Sequence, residues 1–120
     1  MLEIIFFTEA NEIERCNVPE NVYEKLAQTG FYDLSESSLE HLIIEDDEDY
    51  YEVFKLDEDN RKKYIDFLEA ERHLELKEIF GMNKEFYLNK DITECLCYIK
   101  MLTVLIELFY DKNNVYMWLE

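Results

Sequence analysis

Positions 90–110 read KDITECLCYIKMLTVLIELFY, and their apolar residues cover nearly the whole circumference of a helical wheel. Only a narrow stripe, formed by Thr93, Lys100, Thr103 and Glu107, is suited to contact with water. A helix that is apolar over so much of its surface must be covered on several sides. The segment therefore predicts a central core helix at about 90–110, with the rest of the chain packed around it.

The composition limits the class of protein and of partner. A chain of 120 residues is expected to form a single domain over 1–120, and a hydrophobic content of 48% excludes intrinsic disorder. Twenty-nine acidic residues against 12 basic ones give a net charge of −17. Nucleic acids and anionic membranes are bound by clusters of Lys and Arg, so the acidic balance argues against both as direct ligands. It favours a basic protein partner.

The cysteines, the N-terminal segment and the apolar helix indicate the cellular compartment. Cys95 and Cys97 lie two positions apart on the predicted helix, so their side chains diverge, and with Cys16 they make an odd number. This pattern argues against a disulfide framework and favours a reducing, cytoplasmic location. The N-terminal MLEIIFFTEANE lacks the basic and long apolar regions of a signal peptide, and charges interrupt the helix at 90–110 too often for a membrane span.

Local patterns predict the elements that precede the acidic part of the chain. Residues 2–8 are branched and aromatic on both alternating faces, which is typical of a buried strand, and 12–16 continues as a second short strand. A helix is expected over 19–29, capped by Asn17 and ended by Gly30, with an extended piece at 31–34. We expect a short helix over 37–44. The residues predicted to face inward from these two helices are Val22, Tyr23, Leu26 and Ala27 from the first, and Leu39, Leu42 and Ile43 from the second.

The second half of the chain alternates strands and helices. Residues 50–56 alternate as a strand, and Asp57 caps a helix over about 58–71. This helix is expected to bury Tyr64, Ile65 and Leu68 and to bend or break near His73. A short strand at 86–88, a cap at Asn89 and a last strand at 115–119 complete the prediction. The fold class is therefore α+β: a small, mainly antiparallel sheet of three to five short strands covered by helices, with the apolar helix at about 90–110 in the centre.

The charge is concentrated in one fifth of the chain. Between Glu36 and Asp59 there are eleven acidic residues and one basic residue, so this stretch carries −10 of the total −17. Because an extended chain advances roughly 3.3 Å per residue, close to the ~3.4 Å rise per phosphate of one DNA strand, EDDED at 45–49 offers a similar linear charge density. Arg and Lys side chains that hold phosphates also bind carboxylates, and tyrosines are frequent anchors of interfaces.

Two interpretations of this stretch remain open. A solvated acidic loop would serve solubility alone, as most charge runs do. Alternatively, the stretch is a decoy surface that occupies the basic groove of a protein that binds or cleaves nucleic acid. The partner-binding residues of that hypothesis are Glu45, Asp46, Asp47, Glu48, Asp49, Tyr50, Tyr51, Glu52, Asp57, Glu58 and Asp59. A second acidic strip from Asp66 to Glu78 is interspersed with bases and is expected to form ordinary surface pairs along a helix.

The sequence does not match the known motifs for catalysis, metal binding or cofactor binding. The twelve-residue calcium loop fails from Asp57, since its sixth position is Lys62 rather than Gly and its twelfth is Leu68 rather than Glu. Two glycines cannot build a phosphate-binding loop, and His41 and His73 are isolated in the sequence. We therefore expect no catalytic residues, no metal site and no cofactor, and a protein that is not an enzyme.

In size, acidity and lack of catalytic motifs the chain resembles two broad groups of proteins. One is the small inhibitors of host defence nucleases, including anti-CRISPR proteins, and the other is the immunity proteins that neutralise nuclease toxins. The resemblance is one of composition and covers no aligned segment; it implies a stoichiometric inhibitor that performs no chemistry. The alternative is an adaptor that docks or forms a homodimer through apolar surface, such as the exposed side of 115–119 with Tyr116 and Trp118.

Overall fold

A computed structural model describes residues 2–81 and 90–119 and shows an α+β fold, as predicted. Five strands and three α-helices are described, in the order β1, β2, α1, β3, β4, α2, α3, β5, with a short 3₁₀ turn at Phe31–Asp33. Their bounds are Leu2–Thr8 (β1), Ile13–Val18 (β2), Glu20–Thr29 (α1), Ser37–Ile44 (β3), Asp47–Lys55 (β4), Glu58–Gly81 (α2), Lys90–Tyr110 (α3) and Asn114–Leu119 (β5).

All neighbouring strands of the sheet are antiparallel, in the order β2-β1-β5-β4-β3. Two hairpins, β1–β2 and β3–β4, thus lie on either side of β5. The pairing of β1 with β5 is long, but β4 pairs with β5 only at Phe54 and Lys55. The β3–β4 hairpin is therefore free over most of its length to diverge from the plane of the other three strands.

The three helices cover one face of the sheet, where they form the helix-side core. In this cluster, Ile4 and Phe6 of β1 pack together with residues of all three helices. These include Leu26 of α1, Leu68 of α2 and Leu105 of α3. The helix α3 has the bounds predicted for the central helix, and Tyr98, Leu102, Leu105 and Phe109 are buried along it. The expected water-facing stripe is confirmed at Thr93, Lys100 and Glu107, which are exposed, whereas Thr103 is half-buried. Among the described helices, none combines the length and apolar content that crossing a membrane requires.

The β3–β4 hairpin covers the other face of the sheet. Leu42, Ile44 and Val53 from the hairpin pack with Ile5 and Phe7 of β1; these five buried residues form the hairpin-side core. Trp118 of β5 lies in edge contact with Tyr51 of β4, with ring centroids 5.0 Å apart. At the tip, Glu45 forms an ion pair with Arg15 of β2, the strand at the opposite edge of the sheet. The sheet therefore folds over itself, which explains why β1 is apolar on both faces.

The predicted helix over 37–44 is wrong, because these residues form β3. Ser37 through Ile44 pair with Phe54 through Asp47 in one continuous register. Leu39, Leu42 and Ile43 have helical spacing, but only Leu42 is buried, and the side chain of Leu39 is 67% exposed. Pairing with a distant strand, which local propensity does not encode, decides the conformation of this segment.

Smaller differences concern the ends of elements. Asn17 does not cap α1, because Asn17 and Val18 pair with β1; Pro19 occupies the cap position. Of the side chains expected inward on α1, Val22 and Leu26 are buried, whereas Tyr23 and Ala27 are exposed. Residues 31–33 form a 3₁₀ turn rather than an extended piece. Gly30 ends α1 in the left-handed conformation, as predicted. The expected strand at 86–88 and the cap at Asn89 lie outside the described residues.

The predicted break of α2 near His73 is also wrong, since α2 continues from Glu58 to Gly81. Its cap at Asp57 is confirmed by a bond of 2.8 Å from the Asn60 amide to Oδ1 of Asp57. The apolar pattern shifts phase because a charged residue, Glu75, occupies the buried stripe between Leu68 and Ile79. A helix can stay continuous through such a position when the buried charge is paired.

Arg61 of α2 joins the ends of three elements. Its guanidinium donates hydrogen bonds to the carbonyl of Leu56 after β4 and to the carbonyls of Phe109, Asp111 and Asn114 between α3 and β5. The last of these bonds is 2.6 Å long. Burial lowers the pKa of Arg61, and the nearby Asp111 carboxylate opposes that shift. The planar fork of a guanidinium can reach several carbonyls at once, which an ammonium group cannot.

We predict that Arg61→Lys lowers the free energy of unfolding by about 2–4 kcal/mol, because hydrogen bonds from a charged donor contribute about 1.5–3 kcal/mol each and only some are replaced by lysine. Urea denaturation monitored by circular dichroism measures the change. The control is Lys63→Ala, an exposed position two residues away, which should stay within about 0.5 kcal/mol of the parent. Equal stability of Arg61→Lys and the parent would show that the carbonyl contacts contribute little.

Candidate functional site

The acidic segment forms the tip and the β4 strand of the β3–β4 hairpin. Glu45 and Asp46 make up a two-residue turn, and both have positive φ, at 51° and 69°. This is the geometry of a type I′ turn, whose twist matches that of the flanking strands. Asn, Asp and Gly adopt such φ values most readily, so Asp46 suits the position better than Glu45 does. The turn places two carboxylates at the far end of the hairpin.

Alternation along β4 divides the remaining acids between two faces. Asp47 and Asp49 share the inner face with Tyr51 and Val53, which pack against the hairpin-side core. Glu48 and Glu52 lie on the outer face. Carboxylates on one face therefore recur at roughly 6.8 Å, twice the rise per residue, which is about half the charge density of one DNA strand. A partner would therefore experience the full linear charge density predicted for residues 45–49 only if it contacted both faces of β4.

The eleven residues predicted to bind a partner occupy two separate places. Eight of them surround the outer part of the hairpin: Glu45, Asp46, Asp47, Glu48, Asp49, Tyr50, Tyr51 and Glu52. The other three, Asp57, Glu58 and Asp59, lie at the start of α2, beyond the opposite end of β4. The nine residues of β4 span roughly 27 Å at 3.4 Å per step. One compact partner surface would take in the first group without the second.

Few cations lie near the carboxylates of the hairpin. Glu45 pairs with Arg15, and the imidazole of His41 lies 3.8 Å from a carboxylate oxygen of Glu48. Among residues 2–81 and 90–119, four carboxylates of this segment have no ion-pair partner: Asp46, Asp47, Asp49 and Glu52. Partial burial raises the pKa of the Tyr51 phenol, and Asp49 and Asp47 raise it further. The neutral Tyr51 hydroxyl is therefore close enough to Asp49 and Asp47, which have no ion-pair partner in the described ranges, to be affected by their charge.

The outer face of the hairpin carries an exposed apolar and aromatic group that the sequence analysis missed. We call it the outer patch: Leu39, His41, Ile43 and Tyr50. The His41 and Tyr50 rings are in contact, with centroids 5.2 Å apart, and Tyr50 is 66% exposed. The prediction of a helix over 37–44 hid this patch. The alternation of SSLEHLII, with Ser, Leu, His and Ile on one side, is the signal that could have revealed it.

Tyr116 and Trp118, the residues suggested for apolar docking, lie on β5 in the middle of the sheet. Both are half-buried and pack against the hairpin-side core. Most of this side of β5 is therefore already covered by the protein's own hairpin. Exposed apolar side chains are also found on the helices, where Phe80 is 79% exposed and Leu74 and Leu96 are 57% and 55% exposed.

The second acidic strip contains an ordinary surface pair and a buried network. Lys62 and Asp66 form the expected pair, with 3.2 Å between Nζ and Oδ2. Glu75, however, is only 5% exposed and forms an ion pair with Lys25 of α1. The expectation that this strip makes only surface pairs is therefore wrong at Glu75. Because a buried charge without a partner is costly, the pair fixes α1 against α2.

Cys95 of α3 lies beside this network. Burial and a hydrogen bond with Glu75 raise the pKa of the Cys95 thiol to about 11. A cysteine nucleophile requires the opposite shift, which cationic neighbours normally provide. The Lys25 ammonium does favour the thiolate, but it is paired with Glu75 and lies over the ring of Tyr98. The arrangement therefore opposes activation of Cys95.

A cleft lies between the β1–β2 turn and the α3–β5 turn, with Glu9, Glu12, Asp111 and Lys112 among its lining residues. In the described ranges, no three His, Cys, Asp or Glu side chains are grouped as they would need to be to hold a metal ion. Comparisons with protein-family models, with curated proteins and with solved structures find no match.

We predict that the cysteines differ strongly in alkylation by iodoacetamide. Cys97 is exposed and should react readily near pH 7.5, whereas Cys95 should react slowly because little of it is thiolate. Since its pKa is about 11, the rate at Cys95 should rise about ten-fold per pH unit between pH 8 and 10. Peptide mass spectrometry measures both rates. A Cys95 rate that is already at its plateau by pH 9 would contradict the raised pKa.

Proposed function

We propose that this protein is a small acidic inhibitor that occupies the basic nucleic-acid-binding surface of a partner protein, stoichiometrically and without catalysis. The expected setting is the cytoplasm, and the partner is a nuclease or another nucleic-acid-binding protein. Anti-CRISPR proteins and nuclease-toxin immunity proteins are the two kinds of inhibitor whose composition the chain resembles. The single observation that carries the proposal is the β3–β4 hairpin, whose tip and β4 strand hold four carboxylates that have no ion-pair partner among the described residues, beside the outer patch.

The position of these carboxylates supports binding rather than a purely solubilising role. A sequence that only needs solubility can distribute its acids over the whole surface, whereas here Asp46, Asp47 and Asp49 are concentrated at one exposed end of the hairpin. A two-stranded ribbon is narrow enough to enter a groove, as such ribbons do in the major groove of DNA. The groove in this case is a basic one on a protein, and the carboxylates would replace phosphates as acceptors for Arg and Lys.

The outer patch supplies what charge alone does not. Ion pairs at an interface speed association and suppress wrong partners, but their net contribution to affinity is variable. Rigid aromatic rings with a polar end are typical hot-spot residues. Tyr50, in contact with His41 and flanked by Glu48 and Glu52, combines both kinds of group on one face. We expect the carboxylates to steer the partner and Tyr50 to slow its dissociation.

An adaptor that docks through apolar surface is the second candidate function. The observation that favours it is the exposure of Leu74, Phe80 and Leu96 on α2 and α3, away from the hairpin. Burial of such side chains does not depend on charge screening, so this interaction would withstand high salt. Replacement of the hairpin acids would leave it intact.

Removal of four charges at the hairpin tests the proposal. The variant Asp46→Asn, Asp47→Asn, Glu48→Gln, Asp49→Asn keeps the shape of each side chain, and Asn suits the positive φ at position 46. Immobilised parent protein should capture a basic protein from a lysate of the source organism and release it between 0.1 and 0.5 M salt, as the Debye length falls from about 10 Å to a few ångströms. The variant should lose at least about ten-fold in affinity for that partner.

The matched control changes four exposed acids elsewhere, Glu9→Gln, Glu12→Gln, Glu14→Gln and Glu24→Gln, and should retain binding. Duplex DNA or RNA should compete with the parent for the captured protein. If the hairpin variant and the control bind equally well, or if the partner binds nucleic acid and this protein at the same time, the proposal is wrong.

A further inference from the structure

The strand β3 is one of the two edges of the sheet. It pairs with β4 over all eight of its residues, without a bulge or a shift of register. In the described part of the chain, no backbone hydrogen bond joins β3 to any element other than β4. One side of β3 is therefore a row of backbone donors and acceptors that can pair with another strand.

The turn geometry identifies which groups face outward. In a hairpin with a two-residue type I′ turn, the residues that flank the turn form a hydrogen-bonded pair, and such pairs alternate with non-hydrogen-bonded ones. Ile44 and Asp47 flank the turn, so Leu42 and Glu40 also donate toward β4. The amides and carbonyls of Leu39, His41 and Ile43 are directed away from β4. Their side chains belong to the outer patch.

Among the described residues, β3 shows few of the devices by which sheets normally prevent pairing with other chains. Natural edges are protected by Lys, Pro, a bulge or a very short strand, and β3 has none of these. An inward-facing charge is a further device, but here Glu40 is neutralised by Lys55, with 3.3 Å between Nζ and Oε1. The opposite edge, β2, carries Arg15 and is followed at once by Pro19.

We infer that β3 binds an extended segment of a basic partner protein as a sixth, antiparallel or parallel strand of the sheet. The inference rests on the proposed function for the charge of the partner and adds the mode of binding. Backbone pairing provides affinity, and side chains at alternate positions provide specificity. An added strand would lie one strand spacing from β3 and two strand spacings, about 10 Å, from β4. Long basic side chains on the added strand could therefore reach Asp47, Asp49 or Glu48 of β4.

The surroundings specify the chemistry of the added strand. On the outer face its side chains would lie beside Leu39 and Ile43, which favours apolar residues there. On the inner face they would lie beside Glu40, Leu42 and Ile44, with Asp47 and Asp49 one strand further, which favours the long apolar stems and terminal charges of Arg or Lys. The segment that fits is therefore one in which basic and apolar residues alternate.

Charge argues against a second copy of this chain as the occupant. Pairing of β3 with its own copy would bring together two hairpins that each carry the acidic turn and β4, and like charges at close range oppose association. With a net charge of −17 per chain, the repulsion extends over the whole molecule. A basic segment experiences attraction from the same groups.

A peptide of alternating Arg and Val, about ten residues long, is the probe. The control peptide has the same charge but Pro in place of three of the Val residues, so it can bind through charge but cannot complete a ladder. Hydrogen exchange followed by NMR is the readout. We expect the amides of Leu39, His41 and Ile43 to exchange readily in the free protein and at least about ten-fold more slowly with the Arg-Val peptide. The amides of Glu40, Leu42 and Ile44 should be protected in both states.

A substitution on the protein provides a second test. Leu39→Pro removes an outward-facing amide without removing a bond to β4, a placement that edge strands tolerate. It should weaken binding of the Arg-Val peptide about ten-fold relative to Leu39→Ala, which keeps the amide. Unchanged protection of Glu40 and Leu42 amides verifies that the ladder with β4 is intact.

The outcomes separate this inference from the proposed function. Equal binding of the two peptides, or binding without protection at Leu39, His41 and Ile43, would overturn strand addition while leaving an acidic binding surface in place. Protection of these amides in the free protein that grows with its concentration would show that a second copy occupies the edge, and this too would overturn the inference. Failure of nucleic acid to compete for the captured partner bears on the proposed function alone.

Discussion

The contact of Arg61 with the carbonyls at the ends of β4 and α3 determines how the hairpin is held. Because β4 pairs with β5 at only two positions, the ladder itself contributes little to the orientation of the hairpin. Arg61 joins Leu56, just after β4, to Asn114, the first residue of β5, and to the end of α3. The base of the hairpin is thereby fixed to the most buried helix, while its tip extends across the other face of the sheet to Arg15. The helix-side core and the hairpin-side core lie on opposite faces of β1.

The distribution of charge is compatible with this arrangement. A net charge of −17 destabilises a compact chain through self-repulsion, but the most acidic segment lies at the exposed end of the hairpin, where water screens it. Apolar burial on both faces of β1 opposes the repulsion, with Ile4 and Phe6 on the helix side and Ile5 and Phe7 on the hairpin side. The one buried acid of α2, Glu75, is paired with Lys25. The carboxylates that have no ion-pair partner among the described residues thus lie at the exposed surface of the hairpin.

The parts of the fold that follow from local pattern were predictable, and those that depend on distant pairing were not. The apolar circumference of 90–110 and the strand at 2–8 are properties of the segments themselves, and the structure has both at the expected bounds. The conformation of Ser37–Ile44 depends on pairing with β4, and the spacing of Leu39, Leu42 and Ile43 suits a helix equally well. Glu75 is a similar case, because a buried acid looks like a surface residue until its partner on another helix is known. For the candidate site, the sequence located the acids but could not divide them between two faces or place Asp57–Asp59 at the far end of β4.

The pairing of β1 with β5 also orders events during synthesis of the chain. β1 lies within the first eight residues, and its neighbour in the middle of the sheet is formed by Asn114–Leu119. The β1–β2 hairpin can form while the ribosome is still translating α2, but the apolar Ile and Phe side chains of β1 then lack most of the surface that covers them. Contacts between residues more than a hundred positions apart form slowly, since the loop must close first. The sheet is therefore completed only after β5 has left the exit tunnel, and until then the apolar side chains of β1 remain partly uncovered.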